Sequence, residues 1–420
     1  MERYSEYKDS GVQWLGEIPG HWSRTPFRRI ASVKSNLVHP FEYADYPQIA
    51  PDSIEKGSGR LLHWKTVADS NVESDNHLFF KGQILYSKIR PLLNKVIIAP
   101  FDGLCSADMY PIETSQNTRF LQYYMLSNGF LEGVTNATRD RVKMPKINKE
   151  ELGSIDLCIP PLSEQHSIVT YLDAKCAKID KMLENKEKQI ALLVEMKQRI
   201  IADAVTHGLN PDVKMKTTNN ICLGDVPKHW DVMRYGTLFK IKQVKQHHGE
   251  ELLSVFLNLG VIRAAESDKR THAASEDLSK YQLVEPTDFV MNNQQAWRGS
   301  VGVSKLVGII SPAYHIFTMP SCLVPDFANY LLRSKAIVGQ FEMSSRGVGS
   351  IQRTLNFNWL NNRQVPIPPK SEQQAIVTYL DAKCSKIDTL SAKLNEEISS
   401  IKEYKQRLIS DVVTGQIKVC

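Results

Sequence analysis

The sequence predicts an α+β protein: two mixed α/β domains joined by two long helices that form an antiparallel coiled coil, with an internal pseudo-twofold repeat at an offset of 208 residues. Three observations predict it. IPPLSEQHSIVTYLDAKCAKID from Ile159 recurs as IPPKSEQQAIVTYLDAKCSKID from Ile367, identical at 18 of 22 positions. GEIPGHW at 16–22 recurs as GDVPKHW at 224–230 with the same offset, and two segments sharing one offset mean that a whole unit is duplicated. Behind each longer motif lies a stretch of more than 40 residues whose apolar side chains fall on steps of three and four, the spacing of a helix–helix seam.

The elements follow in chain order. The opening motif Gly-x-x-Pro-x-His-Trp reads as a turn whose tryptophan, Trp22 or Trp230, packs against its domain. His21 and His229, one per unit, read as structural. Two variable regions come next, at about 23–150 and 231–360, with a faint correspondence at an offset of 205. KGQILYSKIRP at Lys81 lies opposite PTDFVMNNQQA at Pro286, and SADMYPI at Ser106 lies opposite SPAYHIF at Ser311. Domains of one fold with different surfaces would look like this.

Pro160-Pro161 and Pro368-Pro369 stop any preceding helix. Ser163 and Ser371 are expected as N-caps, with Gln374 completing a capping box, and Gly208 and Gly415 as the ends. Each helix is roughly 60 Å long at 1.5 Å per residue. Helix–helix packing is expected at Leu172, Ile179, Leu183 and Ile190 on one helix and Leu380, Ile387, Leu394 and Ile401 on the other, with Lys186, Lys197, Ser391 and Lys405 interrupting the stripe. Antiparallel pairing would put the variable regions at opposite ends and keep Cys176 away from Cys384. The expected division is 1–158, 159–210, 211–366 and 367–420.

Composition narrows the class. At 42% hydrophobic and 23% charged, with no apolar run near the roughly 20 residues of a membrane span, the chain reads as soluble and globular. No apolar stretch follows the first residues, so no secretory leader is expected and the location is expected to be cytoplasmic. Seven cysteines with no CxxC pair read as reduced thiols, not as a disulfide framework or zinc site, and no metal is expected. A net charge of +6 permits a polyanionic partner without demanding one. There is no GxxxxGK[ST] loop, no GxGxxG after a strand and no HExxH, so no catalytic residues are expected. Pro51-Asp52 with Glu184-Asn185-Lys186 is no nuclease signature, since the latter lies on a long helix.

Candidate binding residues cluster in the variable regions. The first offers Tyr86, Ser87, Lys88, Arg90 and Lys95, then Arg139, Arg141 and Lys143. The second offers Asn292, Asn293, Gln294, Gln295, Trp297 and Arg298, then Arg346 and Arg353. Asn and Gln pair bidentately with adenine and Arg with guanine, while Lys and Ser suit phosphates. Two readings of these residues stand: base and backbone contacts, or solvated strand ends with Trp297 as core.

Together these parts resemble the specificity subunit of type I restriction–modification systems. The opening motifs, the IPPLSEQHSIV and IPPKSEQQAIV segments, GQILYSKIRPLLNKV (82–96) with FDGLCSADMY (101–110), and DFVMNNQQAWRGSVGVS (288–304) with GIISPAYHIF (308–317) carry the resemblance over essentially the whole chain. It implies two target-recognition domains, each reading one half of a split site in double-stranded DNA. It also implies helices that set the unread spacer and dock two methyltransferase subunits, with restriction/translocase subunits joining outside. No cofactor is then expected on this chain; S-adenosylmethionine, ATP and Mg belong to the partners. One departure is Gln83, where the second copy has Asp288 and the family often has Asp. The alternative is a non-catalytic protein-binding scaffold with incidental DNA contact, which the low net charge slightly favours.

Overall fold

The computed structural model describes residues 2–139, 145–244, 250–257, 259–266, 278, 280–347 and 353–419. The chain forms two compact units, Met1–Glu187 with Asn395–Cys420, and Lys188–Leu394. Each unit therefore contains one variable region and a stretch of both long helices.

In the first unit, β1 (Ala31–Val33), β2 (Ile84–Ser87), β3 (Val96–Ile98) and β4 (Met109–Thr114) form an antiparallel sheet in the order β3-β2-β4-β1. All four residues of β2 are buried, as expected for a central strand covered on both faces. A five-stranded sheet packs beside it, and Ile49, Phe79, Leu85, Ile97 and Met109 form the shared core. Gly103 sits where an added Cβ would lie 2.5 Å from the Pro47 carbonyl, so only glycine lets these two strands pair. Helices α1 (Thr118–Leu126) and α2 (Asn128–Ala137) follow, N-capped by the Asn117 and Ser127 side chains.

The second unit repeats the plan. Strands β5 (Lys240–Lys242), β6 (Phe289–Asn292), β7 (Val301–Val303) and β8 (Tyr314–Thr318) have the order β7-β6-β8-β5, and α3 (Pro325–Leu332) and α4 (Lys335–Met343) follow. Strands β6, β7 and β8 begin 205 residues after β2, β3 and β4, so the second offset is realised strand by strand.

The Gln83 departure now has a physical account. Gln83 Oε1 accepts from the Phe80 N–H at 2.9 Å, and Asp288 Oδ2 accepts from the Glu285 N–H at 2.8 Å, closing the same turn. Asp288 also binds Lys242 at 2.6 Å. The corresponding Lys34 cannot use a neutral amide as a counter-charge. Glu113 intervenes, pairing Lys34 at 2.9 Å and accepting from Gln83 Nε2 at 2.8 Å. Burial opposes the charged form of Lys242, but its hydrogen bonds to Asp288 and Glu285 outweigh this and raise its pKa.

The long helices run Leu162–His207 and Lys370–Val413, 46 and 44 residues. Ser163 and Ser371 do not cap them, and there is no capping box: both serines lie inside the first turn. The carbonyls of Pro161 and Pro369 accept the first amides, from Glu164 and Gln165 and from Glu372 and Gln373. The preset φ of proline brings the chain into the helix without a serine cap. The acidic first-turn residues Glu164 and Glu372 suit the positive helix end.

Those glutamates anchor the opening motifs. Trp22 Nε1 donates to Glu164 at 3.2 Å and His21 Nε2 lies 2.8 Å from the same carboxylate. In the second unit Trp230 Nε1 donates to Glu372 at 2.8 Å, with His229 Nε2 at 2.6 Å. Both indoles are fully buried, as the sequence predicts. Gln165 and Gln373 complete the joint by accepting from the Asn117 and Val324 amides at 3.0 and 2.7 Å. A glycine at φ +78° follows each helix, Gly208 directly and Gly415 two residues on, with Gly208 against Trp230 and Gly415 against Trp22.

The stripe residues Leu172, Ile179, Leu183, Leu380, Ile387 and Leu394 are buried, while Ile190 and Ile401 are half-buried. Three of the four interruptions are interhelical ion pairs: Lys405 to Asp180 at 2.6 Å, Lys197 to Asp388 at 2.7 Å, and Lys186 to Glu397. Positions rise along one helix as they fall along the other, so the pairing is antiparallel. Lys405–Asp180 and Lys197–Asp388 are the same pair 208 residues apart, each within its own unit. Charged pairs inside an apolar seam fix register, because any slip strands a lysine among apolar side chains.

Candidate nucleic-acid interface

Six of the candidate residues of the second variable region, Asn292 to Gln295 with Trp297 and Arg298, lie at the end of β6 and on the loop to β7, while Arg346 and Arg353 lie on a separate segment. Asn292 Oδ1 accepts from the Gln294 N–H at 3.0 Å, the Gln295 N–H bonds the Asn292 carbonyl at 3.2 Å, and Gly299 closes the turn at φ +95°. This folding leaves Gln294 and Arg298 exposed, with Asn293, Gln295 and Trp297 half-buried. The Trp297 ring is held by its own N–H to the Gln294 carbonyl at 3.0 Å, so it is neither free nor core. The guanidinium groups of Arg298 and Arg353 lie 5.0 and 4.6 Å from its ring centroid. Arg353 pairs with Glu342 at 3.3 Å, and its Nε is buried without a partner among the described residues. Arg346 stands 4.3 Å over Trp359. The surface thus offers Arg groups on aromatic faces beside the exposed Gln294 side chain, while Asn293 Oδ1 is buried without a partner among the described residues. Burial lowers the pKa of His315, on β8 beside Asn292's strand, so it presents a neutral ring near neutral pH.

The equivalent loop of the first unit, after β2, is built differently. Tyr86 is fully buried, edge-on to Phe130, and Ser87 is 2% exposed with its Oγ donating to the Ile89 carbonyl. Both therefore leave the set of surface contacts. They belong to a strand covered on both faces, where the alternation expected of a half-exposed strand does not apply. Lys88 lies 5.2 Å from the Tyr110 ring centroid, and Lys95 donates to the Pro51 carbonyl at 2.5 Å. Arg90 is exposed at φ +45°, its amide held by the Pro145 carbonyl at 2.9 Å, and Arg139 is exposed. Arg141 and Lys143 lie outside the described residues. Sequence reasoning missed Glu342, which steers Arg353. It lies 11 positions away, joined to Arg353 by a short hairpin whose strands are Ser345–Arg346 and Thr354–Leu355.

Among the described residues no group of three His, Cys, Asp or Glu side chains converges as a metal site would, and no helix is long and apolar enough to cross a membrane.

Comparison with known proteins bears on this geometry. The family model described as type I restriction modification DNA specificity domain matches residues 34–192 and 298–400. The type I restriction enzyme EcoDI specificity subunit of Escherichia coli is 40% identical over 190 residues, covering 45% of this chain and 43% of that protein. The EcoBI specificity subunit of Escherichia coli is 25% identical over 332 residues, covering 73% of this chain and 67% of that protein. The matched part thus spans under half the length of the first relative and about two thirds of the second. A chain from a solved structure concerned with complex assembly and conformational transition of the type I R-M system shares the fold at a TM-score of 0.68 and 15% identity, covering 95% of this chain and 99% of that one.

Proposed function

Because the chain belongs to the type I restriction–modification DNA specificity family, we propose that it is the DNA-reading subunit of such a complex, each variable region recognising one half of a bipartite, asymmetric site. One observation carries the reading. The loops after β2 and β6 hold the same place in the same fold 205 residues apart, yet one presents Lys88 and Arg90 and the other Gln294 and Arg298. A duplicated scaffold with divergent reading loops fits a target whose halves differ. The long helices, about 70 Å at 1.5 Å per residue, act as the ruler for the unread spacer and dock two methyltransferase subunits. Restriction/translocase subunits join that assembly in the cytoplasm. The chain itself is not an enzyme: S-adenosylmethionine, ATP and Mg serve the partner subunits.

Exchange of residues 23–150 for those of another such protein tests this. Methylation of the assembled complex shifts at one half-site only. A shift at both halves, or at neither, refutes the two-reader model.

A further inference from the structure

Within the second unit a groove of about 910 Å³ opens between the variable region and the helix pair. Arg298, Arg333 and Lys335 line it from the variable region, and Lys197, Asp381 and Asp388 from the helices. The acids are engaged: Asp388 pairs Lys197 at 2.7 Å, and Asp381 accepts the Tyr330 hydroxyl at 2.7 Å. The three cations of the variable region are not. Among the described residues, none of them has a carboxylate partner, and the Arg333 side chain makes one long hydrogen bond, 3.4 Å to the Leu257 carbonyl. Partial burial lowers the Arg333 pKa, so its charge is partly desolvated and, among the described residues, has no counter-charge. Such a charge is costly unless an anion completes the site. Beside it, Ser334 donates its hydroxyl to the Leu331 carbonyl at 2.6 Å and accepts no amide of α4, while Ser127 in the first unit makes the same donation to the Tyr124 carbonyl at 2.6 Å and also accepts from the Phe130 N–H at 3.3 Å. The corresponding groove of the first unit mixes Lys56, Arg60, Lys181, Lys402 and Lys405 with Glu55, Asp180, Glu184 and Glu187, so there the cations face four carboxylates.

We propose that Arg333, with Arg298 and Lys335, forms a binding site for a phosphate of the DNA backbone. This rests on the reading of the chain as a DNA reader. Arg298 makes the link, because it lines the groove and also stands on the Trp297 face of the candidate reading loop. A phosphodiester oxygen pair matches the guanidinium fork and meets three positive charges without displacing an existing ion pair. The site positions the duplex and carries no base preference, so it sets register for the residues at 292–298.

The test is Arg333→Gln in the full chain, measured by fluorescence anisotropy on several unrelated duplexes across a salt series. The expected result is weaker binding to every duplex alike, with the slope of log affinity against log salt reduced by about 1. Melting without DNA is expected to be unchanged or higher, because an uncompensated charge has been removed. Unchanged affinity and slope would overturn the site while leaving the DNA-reader reading intact. Loss on one sequence only would make Arg333 a base contact, and a lowered melting temperature would make it structural; either overturns the proposal. So would normal DNA binding with loss of a partner subunit, which points to an acidic protein segment instead. A wild-type chain that binds no duplex removes the DNA-reader reading, and the site with it.

Discussion

Replacing Glu372 by alanine probes the joint between the second variable region and its helix. The Trp230 indole is fully buried and its N–H donates to this carboxylate at 2.8 Å. Leaving a buried donor unsatisfied costs about 1–3 kcal/mol. The His229 contact adds little, since both its side chain and that of Glu372 are 40% exposed or more. The expected loss is therefore about 1–3 kcal/mol, nearly all of it through the indole. Glu372→Gln keeps an oxygen for that N–H and should lose less than about 1 kcal/mol. Urea unfolding followed by circular dichroism measures both, and a cycle with Trp230→Phe should show coupling between the two side chains. Glu164→Ala in the first unit should cost at least as much, because Glu164 is more buried and also accepts the Tyr4 hydroxyl. A Glu372→Ala loss below about 0.5 kcal/mol, or a glutamine variant as unstable as the alanine one, refutes the assignment of the joint to this bond.

Three further outcomes are expected. Arg298→Ala weakens binding to unrelated duplexes alike in a gel-shift series, as loss of a phosphate contact should; a loss of roughly 1–3 kcal/mol at the second half-site alone would reassign it to base readout. Lys405→Met strands Asp180 and lowers the melting temperature, while Lys405→Met with Asp180→Leu recovers to within about 1 kcal/mol of wild type, since an apolar pair suits a seam; no recovery would mean the ion pair itself is needed. Burial, with smaller contributions from Lys88 and Lys149, lowers the His77 pKa, and burial lowers that of His315, so the folded chain favours the neutral rings. Below about pH 6.5 the unfolded chain binds more protons. Stability is then full above that pH and lost as pH falls through the depressed folded values. Melting between pH 7.5 and 5.5 should fall less steeply in a His77→Gln, His315→Gln variant, and an unchanged slope would contradict this.

Much of this protein is legible one residue at a time. The duplication follows from identity at a fixed offset, the helices from periodicity and bounding prolines, and the strand correspondence from a second offset of 205 that the sheets reproduce. Each depends on information local in sequence. Burial and partnership do not. Tyr86 and Ser87 look like loop residues beside Lys88, but a sheet covered on both faces encloses them. Lys197 and Lys405 look like flaws in an apolar stripe until the antiparallel partner brings Asp388 and Asp180 against them. Glu164 and Glu372 look like ordinary first-turn acids, and only folding shows that each satisfies an indole more than 140 residues away. The sequence by itself determined the repeat, the element types and their order, because local propensity and spacing encode those. Which side chains are buried, which charges are paired and which, like Arg333, have no counter-charge among the described residues was decided by tertiary structure, because desolvation and Coulomb energies depend on neighbours that chain distance does not reveal.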